Sequence, residues 1–144
     1  MNNSLSETVP VNPEMNAKGT RTRILVCDDE APVRELVSVL LEMAGYHVET
    51  ATNGAEALTL ILDRSDRYQL VLTDHKMPQL DGLGLVRKLR VCGFGGKIMV
   101  LSGCLDQKDA AAYAELAVDG IMGKPFNFAE FRNAVGCLLL AHAC

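Results

Sequence analysis

Asp74 stands where a short apolar run, Leu70-Val71-Leu72-Thr73, stops at a carboxylate and gives way to His75-Lys76-Met77-Pro78. A run of that length, with those flanks, reads as a fully buried strand. Other runs end in groups of related chemistry. Arg23-Ile24-Leu25-Val26-Cys27 ends in Asp28-Asp29-Glu30, Lys97-Ile98-Met99-Val100-Leu101 in the hydroxyl of Ser102, and Gly120-Ile121-Met122-Gly123 in Lys124-Pro125. In an open parallel sheet, groups at the carboxyl ends of strands collect in one crevice. Carboxylates, a hydroxyl and an ammonium gathered there suit a divalent cation and a phosphoryl group.

Asp28, Asp29 and Asp74 follow apolar runs, where a lone buried charge is expensive, so they require a counter-charge. Magnesium answers that need, because it takes one or two protein carboxylates and completes its octahedron with water and phosphate oxygens. Asp28 alone fits a helix cap as well as a metal ligand; the set together favours a site. With a cation beside it, the ionised Asp74 carboxylate is a nucleophile toward a phosphoryl group. Lys124 would supply positive charge to the equatorial oxygens, and Ser102 a hydrogen bond. Taken singly, a lysine after a strand is a solvated surface group and a serine a turn residue.

These groups need a scaffold, and the chain is long enough for one domain: 144 residues against a usual roughly 100 to 150. The hydrophobic fraction of 49% indicates a globular chain. A net charge of -4 and a pI near 5.3 leave no basic footprint for nucleic acid. No stretch approaches the roughly 20 apolar residues of a membrane span and no signal-like N-terminus is present, so a cytoplasmic protein is expected. Cys27, Cys92, Cys104, Cys137 and Cys144 show neither CxxC nor zinc spacing. They read as reduced thiols, several of them buried.

Residues 1–22 lack apolar periodicity and are expected to be a flexible N-terminal tail, with the domain at 23–144. Pro32 suits an early helical position, and Val33, Leu36, Val37, Leu40 and Leu41 follow at helical spacing up to Gly45. Tyr46–Ala51 alternates as a second strand, and Asn53-Gly54 opens a helix carrying Ala57, Leu58, Leu60, Ile61 and Leu62. Pro78 and Asp81-Gly82 mark a turn before a helix with Leu83, Leu85, Val86 and Leu89. The alanine-rich segment from Asp106 to Leu116 has high helix propensity but a weak apolar stripe, so few contacts anchor it. Asn127 is a fitting N-cap for a last helix with Phe131, Val135, Leu138 and Leu139 inward. Five strands alternating with five helices predict a three-layer α/β domain with right-handed crossovers.

From about Arg21 to Leu140 the chain resembles the receiver domain of bacterial two-component response regulators, chemotaxis-type single-domain receivers included. The resemblance rests on Val26-Cys27-Asp28-Asp29-Glu30, Leu72-Thr73-Asp74-His75-Lys76-Met77-Pro78 with Asp81-Gly82, Leu101-Ser102-Gly103 and Lys124-Pro125-Phe126, in that order and at family-like separations. It implies a flavodoxin-like, doubly wound, five-stranded parallel sheet of strand order 2-1-3-4-5. It further implies that Asp74 is the phosphoacceptor and that Mg2+ is bound by Asp74, by Asp29 directly, by Asp28 mainly through water, and by the backbone carbonyl of Lys76. Ser102 would be the switch hydroxyl and Lys124 the ion-pair partner of the phosphoryl group, followed by a cis Lys124-Pro125 peptide. The implied donor is a phosphohistidine on a histidine kinase or histidine phosphotransfer protein. A downstream protein, or a second copy of the chain, would read the result.

Some positions depart from the family pattern. Ile121 stands where an aromatic ring commonly turns inward, so a rotamer switch of that kind is not expected, and the Asp106–Leu116 helix would shift by repacking. Lys76 and Cys104 occupy positions that in the family modulate access of water to the phosphoryl group; their plainer fates are a solvated lysine and a passive small residue. His75, next to the acceptor, is expected at the surface. Ala117 stands where glycine is frequent, and a left-handed backbone there would strain it.

The leading expectation is thus a signalling phosphoacceptor rather than an enzyme. The chain ends just after the fifth helix, as a stand-alone receiver or one excised from a larger protein. A small aspartyl phosphatase would need an acid–base carboxylate two residues after the nucleophile, where Lys76 stands. A degenerate receiver serving only as a binding surface would not need the complete acidic, hydroxyl and lysine set. A flavin module would place phosphate after the first strand, where Asp28 and Asp29 repel it.

Overall fold

The apolar runs form the strands of one parallel sheet. The computed structural model describes residues 21–64 and 67–143; residues 1–20 of the expected tail and Cys144 lie outside the described residues. Strand β1 (Arg23–Cys27) is followed by α1 (Ala31–Met43), β2 (His47–Ala51), α2 (Gly54–Asp63), β3 (Leu70–Asp74) and α3 (Gly82–Cys92). Then come β4 (Lys97–Ser102), α4 (Gln107–Glu115), β5 (Gly120–Gly123) and α5 (Phe128–Ala143). The sheet order is β2-β1-β3-β4-β5, as expected from the resemblance.

Because successive side chains point to opposite faces, the two sides of each strand feed two cores. Leu25, Cys27, Val71, Ile98 and Val100 meet Ala57, Ile61, Leu85, Leu89 and Tyr113 on one face. Ile24, Val26, Leu70, Leu72, Met99 and Leu101 meet Val37, Leu41, Phe131, Val135 and Leu139 on the other.

Local signals close the helices. Asn53, Asp81 and Asp106 each accept a hydrogen bond from a first-turn amide, and Asn127 accepts from Ala129 and Glu130. Gly45 and Gly93 take the positive φ angles, 102° and 78°, that end α1 and α3. The Lys124-Pro125 peptide is cis.

The structure corrects several expectations. Leu36 and Leu62, assigned to apolar stripes, are 55% and 58% exposed, because a helix offers the core a narrower face than the run of apolar residues suggests. Only Cys27 is buried among the described cysteines; Cys92, Cys104 and Cys137 are exposed. Thr22, counted with the tail, is buried, and its carbonyl accepts from His47 N–H at 2.9 Å. Tyr46 belongs to the turn closing α1, its N–H donating to the Leu41 carbonyl. Helix α4 is better anchored than its alanines suggest, since Tyr113 is wholly buried.

Two polar arrangements bear on stability. Ala117 does take a left-handed φ of 56°, and Arg90 holds the segment by donating from Nε to Leu116 O and from Nη2 to Ala117 O, both at 2.8 Å. On the other flank, Glu49 receives Arg23 at 2.9 Å, Arg67 at 2.7 Å and the Tyr68 hydroxyl at 2.7 Å. Burial alone would raise its carboxyl pKa. The Tyr68 hydrogen bond and the charges of Arg67, Arg23 and His47 outweigh that, holding it below its ordinary value.

Ala117→Gly relieves the left-handed strain and should raise the urea midpoint, by a gain of up to about 1 kcal/mol; an unchanged or lower midpoint refutes strain at that turn. For Glu49 the folded pKa is depressed, so its contribution is full above the unfolded value near 4.5 and lost as pH falls through the folded pKa. Glu49→Gln should melt earlier than wild type at pH 7, and the gap should close in acid. Parallel melting curves across that range refute the cluster's contribution.

Candidate functional site

Strand register sets the level of each functional group. Cys27 pairs with Thr73 and Ser102 with Gly123, so Asp28 lies one residue beyond β1 at the level of Asp74, and Lys124 one residue beyond Ser102's partner. The carboxyl edge therefore gathers residues nearly 100 positions apart in the chain. Lys124 Nζ lies 2.9 Å from Asp28 Oδ2 and 3.3 Å from Asp74 Oδ1.

Both aspartates are buried, at 3% and 9% exposure, so neither can rely on water to disperse its charge. Asp28 Oδ1 accepts the Glu30 N–H at 2.9 Å, and Asp74 Oδ1 accepts the His75 N–H at 2.8 Å. Burial, then the charge of Asp28, pushes the Asp74 pKa up, against the pull of Lys124 and the His75 N–H. For Lys124, burial disfavours the ammonium, but the hydrogen bond to Asp28 and the two carboxylate charges prevail and raise its pKa. Two buried anions against one cation leave an excess of negative charge.

That excess faces a cavity of about 430 Å³, lined on the acidic side by Asp29, Glu30 and Asp74. Lys76, Ser102, Gly103, Cys104 and Lys124 line the rest. Asp28, Glu30 and Asp74 bring carboxylate oxygens within 4.8 Å of one another. An all-oxygen donor set, net negative and open to a cavity, fits a hard divalent cation such as Mg2+. Glu30 is the unexpected member: the turn that brings its N–H onto Asp28 also brings its carboxylate into the group. Asp29 is exposed and borders the same cavity.

The remaining expected residues fall at different depths. Ser102 is buried, and its hydroxyl is 3.2 Å from both the carbonyl and the N–H of Cys104, turned into its own loop. Lys76 and Cys104 are exposed at the cavity rim. Ile121 is 45% exposed on β5 and does not line the cavity. The Cys27 thiol, buried beneath, is pushed up to about 12 by desolvation and stays protonated.

His75 corrects the expectation of a surface role. It is 6% exposed, its Nδ1 lies 2.7 Å from the Tyr113 hydroxyl and its Nε2 3.1 Å from Asp109 Oδ2. Asp109 and Tyr113 stand four apart on α4 and so share one face. That spacing was the available signal; the strand-end alternation of side chains hid it.

The comparisons agree with this geometry. The model of the response regulator receiver domain matches residues 24–136. A transcriptional regulatory protein CpxR homolog of Haemophilus influenzae is 35% identical over 82% of this chain and 50% of its own length. Response regulator MprA of Mycolicibacterium vanbaalenii is 40% identical over 81% and 50%. The chain thus spans about half the length of the curated relatives it matches. Among solved structures, a response regulator receiver protein from Pseudomonas putida superposes with a TM-score of 0.74 at 30% identity, over 82% of this chain and 98% of that one. A receiver domain protein from Clostridium thermocellum gives 0.79 at 25%, over 85% and 97%. With the flavodoxin-like strand order and the acidic edge both in place, we conclude that this chain belongs to the family of response regulator receiver domains.

Proposed function

We propose that this chain is a phosphoacceptor of a two-component or phosphorelay pathway, in which Asp74 takes a phosphoryl group from a phosphohistidine of a histidine kinase or phosphotransfer protein. The observation that carries this reading is the buried Asp74 carboxylate, held on one oxygen by Lys124 and the His75 N–H while it faces a cation-seeking cavity. An Asp74 carboxylate oxygen attacks phosphorus in line. The P–N bond to the donor imidazole breaks, its electron pair stays on that nitrogen, and an acyl phosphate forms.

Lys124 is already within reach of Asp74 and would accompany the phosphoryl oxygens as they arrive. Ser102 would turn its hydroxyl from Cys104 toward the phosphoryl group. Asp28, Glu30 and Asp74, with Asp29 and the Lys76 carbonyl as the resemblance implies, would hold Mg2+. Bound there, the ion offsets repulsion between the carboxylates and the incoming phosphate. Lys76 and Cys104, at the rim, would govern the approach of water. The output surface includes α4 and the exposed Ile121 on β5, where repacking replaces an aromatic rotamer switch. Its reader is a protein or a second copy of this chain, because the net charge of -4 offers nucleic acid no footprint. Among the described residues no helix is long and apolar enough to cross a membrane.

A constitutive binding module would not require this complete set, and a phosphatase would require a carboxylate where Lys76 stands. Incubation with acetyl phosphate and Mg2+ should add one phosphoryl group to the intact mass of wild type, none to Asp74→Asn, and none after chelation of the metal. An unlabelled wild type, under conditions that label another receiver, overturns small-donor phosphorylation at this site.

A further inference from the structure

Helix α4 is held to the end of the acceptor strand by side-chain contacts of His75 that the phosphoacceptor chemistry leaves unused. The peptide N–H of His75 donates to Asp74 Oδ1 at 2.8 Å, and the imidazole of the same residue reaches Tyr113 at 2.7 Å and Asp109 at 3.1 Å. A carboxylate can only accept, so Nε2 carries the proton shared with Asp109. In the neutral ring Nδ1 then accepts from the Tyr113 hydroxyl. That hydroxyl stays protonated, because burial first, then the charges of Asp81, Asp109 and Asp74, push its pKa up.

Packing leaves this chain of contacts little slack. The N–H of Gly82 donates to the His75 carbonyl at 2.8 Å. A Cβ at Gly82 would overlap the Asp74 carbonyl oxygen and lie 2.8 Å from the Tyr113 hydroxyl. Tyr113 is itself wholly buried and edge-on to the His75 ring, with centroids 5.5 Å apart. A shift of the peptide after Asp74 therefore meets Tyr113 rather than empty space. The turn just beyond the C-terminal end of α4 is tied separately, by Arg90 to Leu116 and Ala117.

We propose that His75 is a positioning residue that transmits the state of Asp74 to helix α4, through Tyr113 and Asp109. The inference rests on the phosphoacceptor reading for its physiological trigger but not for the linkage itself. When the charge on Asp74 changes, the acceptor of the His75 N–H changes with it. The displaced imidazole then pulls on two side chains one helical turn apart, and α4 moves as a unit about its Arg90 tie.

The test perturbs Asp74 in two independent ways and reads α4 each time by hydrogen exchange of residues 107–115. In the otherwise wild-type chain, Asp74→Asn should change α4 exchange roughly fivefold or more, the size expected for loss of one hydrogen bond's influence on local opening. The His75 ring resonances should shift with it. Acetyl phosphate with Mg2+ should produce an α4 response of similar size. Tyr113→Phe, which keeps the ring but removes the hydroxyl, and Asp109→Ala, which removes the acceptor at a partly exposed site, should each take up the label as wild type does yet lose most of both α4 responses. A merely structural role would change resting exchange in these variants but leave the response to Asp74 intact, which overturns the proposal. So does an α4 indifferent to both perturbations in wild type. If Asp74→Asn moves α4 through His75 while acetyl phosphate labels nothing, the linkage stands and small-donor phosphorylation at Asp74 falls.

Discussion

Two buried carboxylates sharing one ammonium form the constraint around which the domain is arranged. Asp28 and Asp74 sit at the ends of buried, largely apolar strands, and Lys124 reaches both. Removing one partner from such a group leaves an uncompensated buried charge, which is strongly destabilising. The group is also incomplete, since one cation faces two anions with Glu30 close by. A site that is tolerable but electrostatically unfinished is suited to binding a further cation and, with it, an anionic phosphoryl group. The proposed phosphoacceptor role would use the deficit that a purely structural ion pair avoids.

The triad depends in turn on register. A one-residue slip of a parallel strand would send each side chain to the opposite face and lower each terminal group by a residue. Burial on both faces of β1, β3 and β4 prevents this, because nearly every alternate residue fills one of the two cores. The loop after β3 is set by backbone contact. The Gly54 N–H donates to the Leu80 carbonyl at 3.0 Å, and a Cβ at Gly54 would collide with that oxygen. Small residues thus bring the β3–α3 loop close, at one end over α2 and at the other, through Gly82, over Tyr113.

The buried strands were legible because short apolar runs end in turn residues, and their order because the four terminal motifs together carry the family resemblance. Asp74, Asp28, Ser102 and Lys124 were legible for the same reason: each terminates a run. Depth was legible only where periodicity was unambiguous. Leu36 and Leu62 look identical to their buried neighbours in sequence, and only the direction of each helix on the sheet separates them. Glu30 was visible as an adjacent carboxylate, but its entry into the acidic group depends on the turn drawing its N–H onto Asp28. His75 was misplaced because its partners, Asp109 and Tyr113, lie more than thirty residues away on a helix whose composition suggested weak anchoring.

That misplacement has a physical lesson for α4. A helix seated by broad apolar contact tolerates small slides, since hydrophobic burial is non-directional. A helix seated by hydrogen bonds does not, because these weaken steeply with distance and angle. With one fully buried side chain, α4 draws much of its placement from directional contacts, to His75 from Asp109 and Tyr113 and to Arg90 just past its C-terminal end. Its position is therefore well defined while the contacts are aligned, and readily changed once one of them is not. The thin apolar face of α4 and its polar ties are two parts of one arrangement: the first keeps the barrier to movement low, and the second fixes where the helix rests.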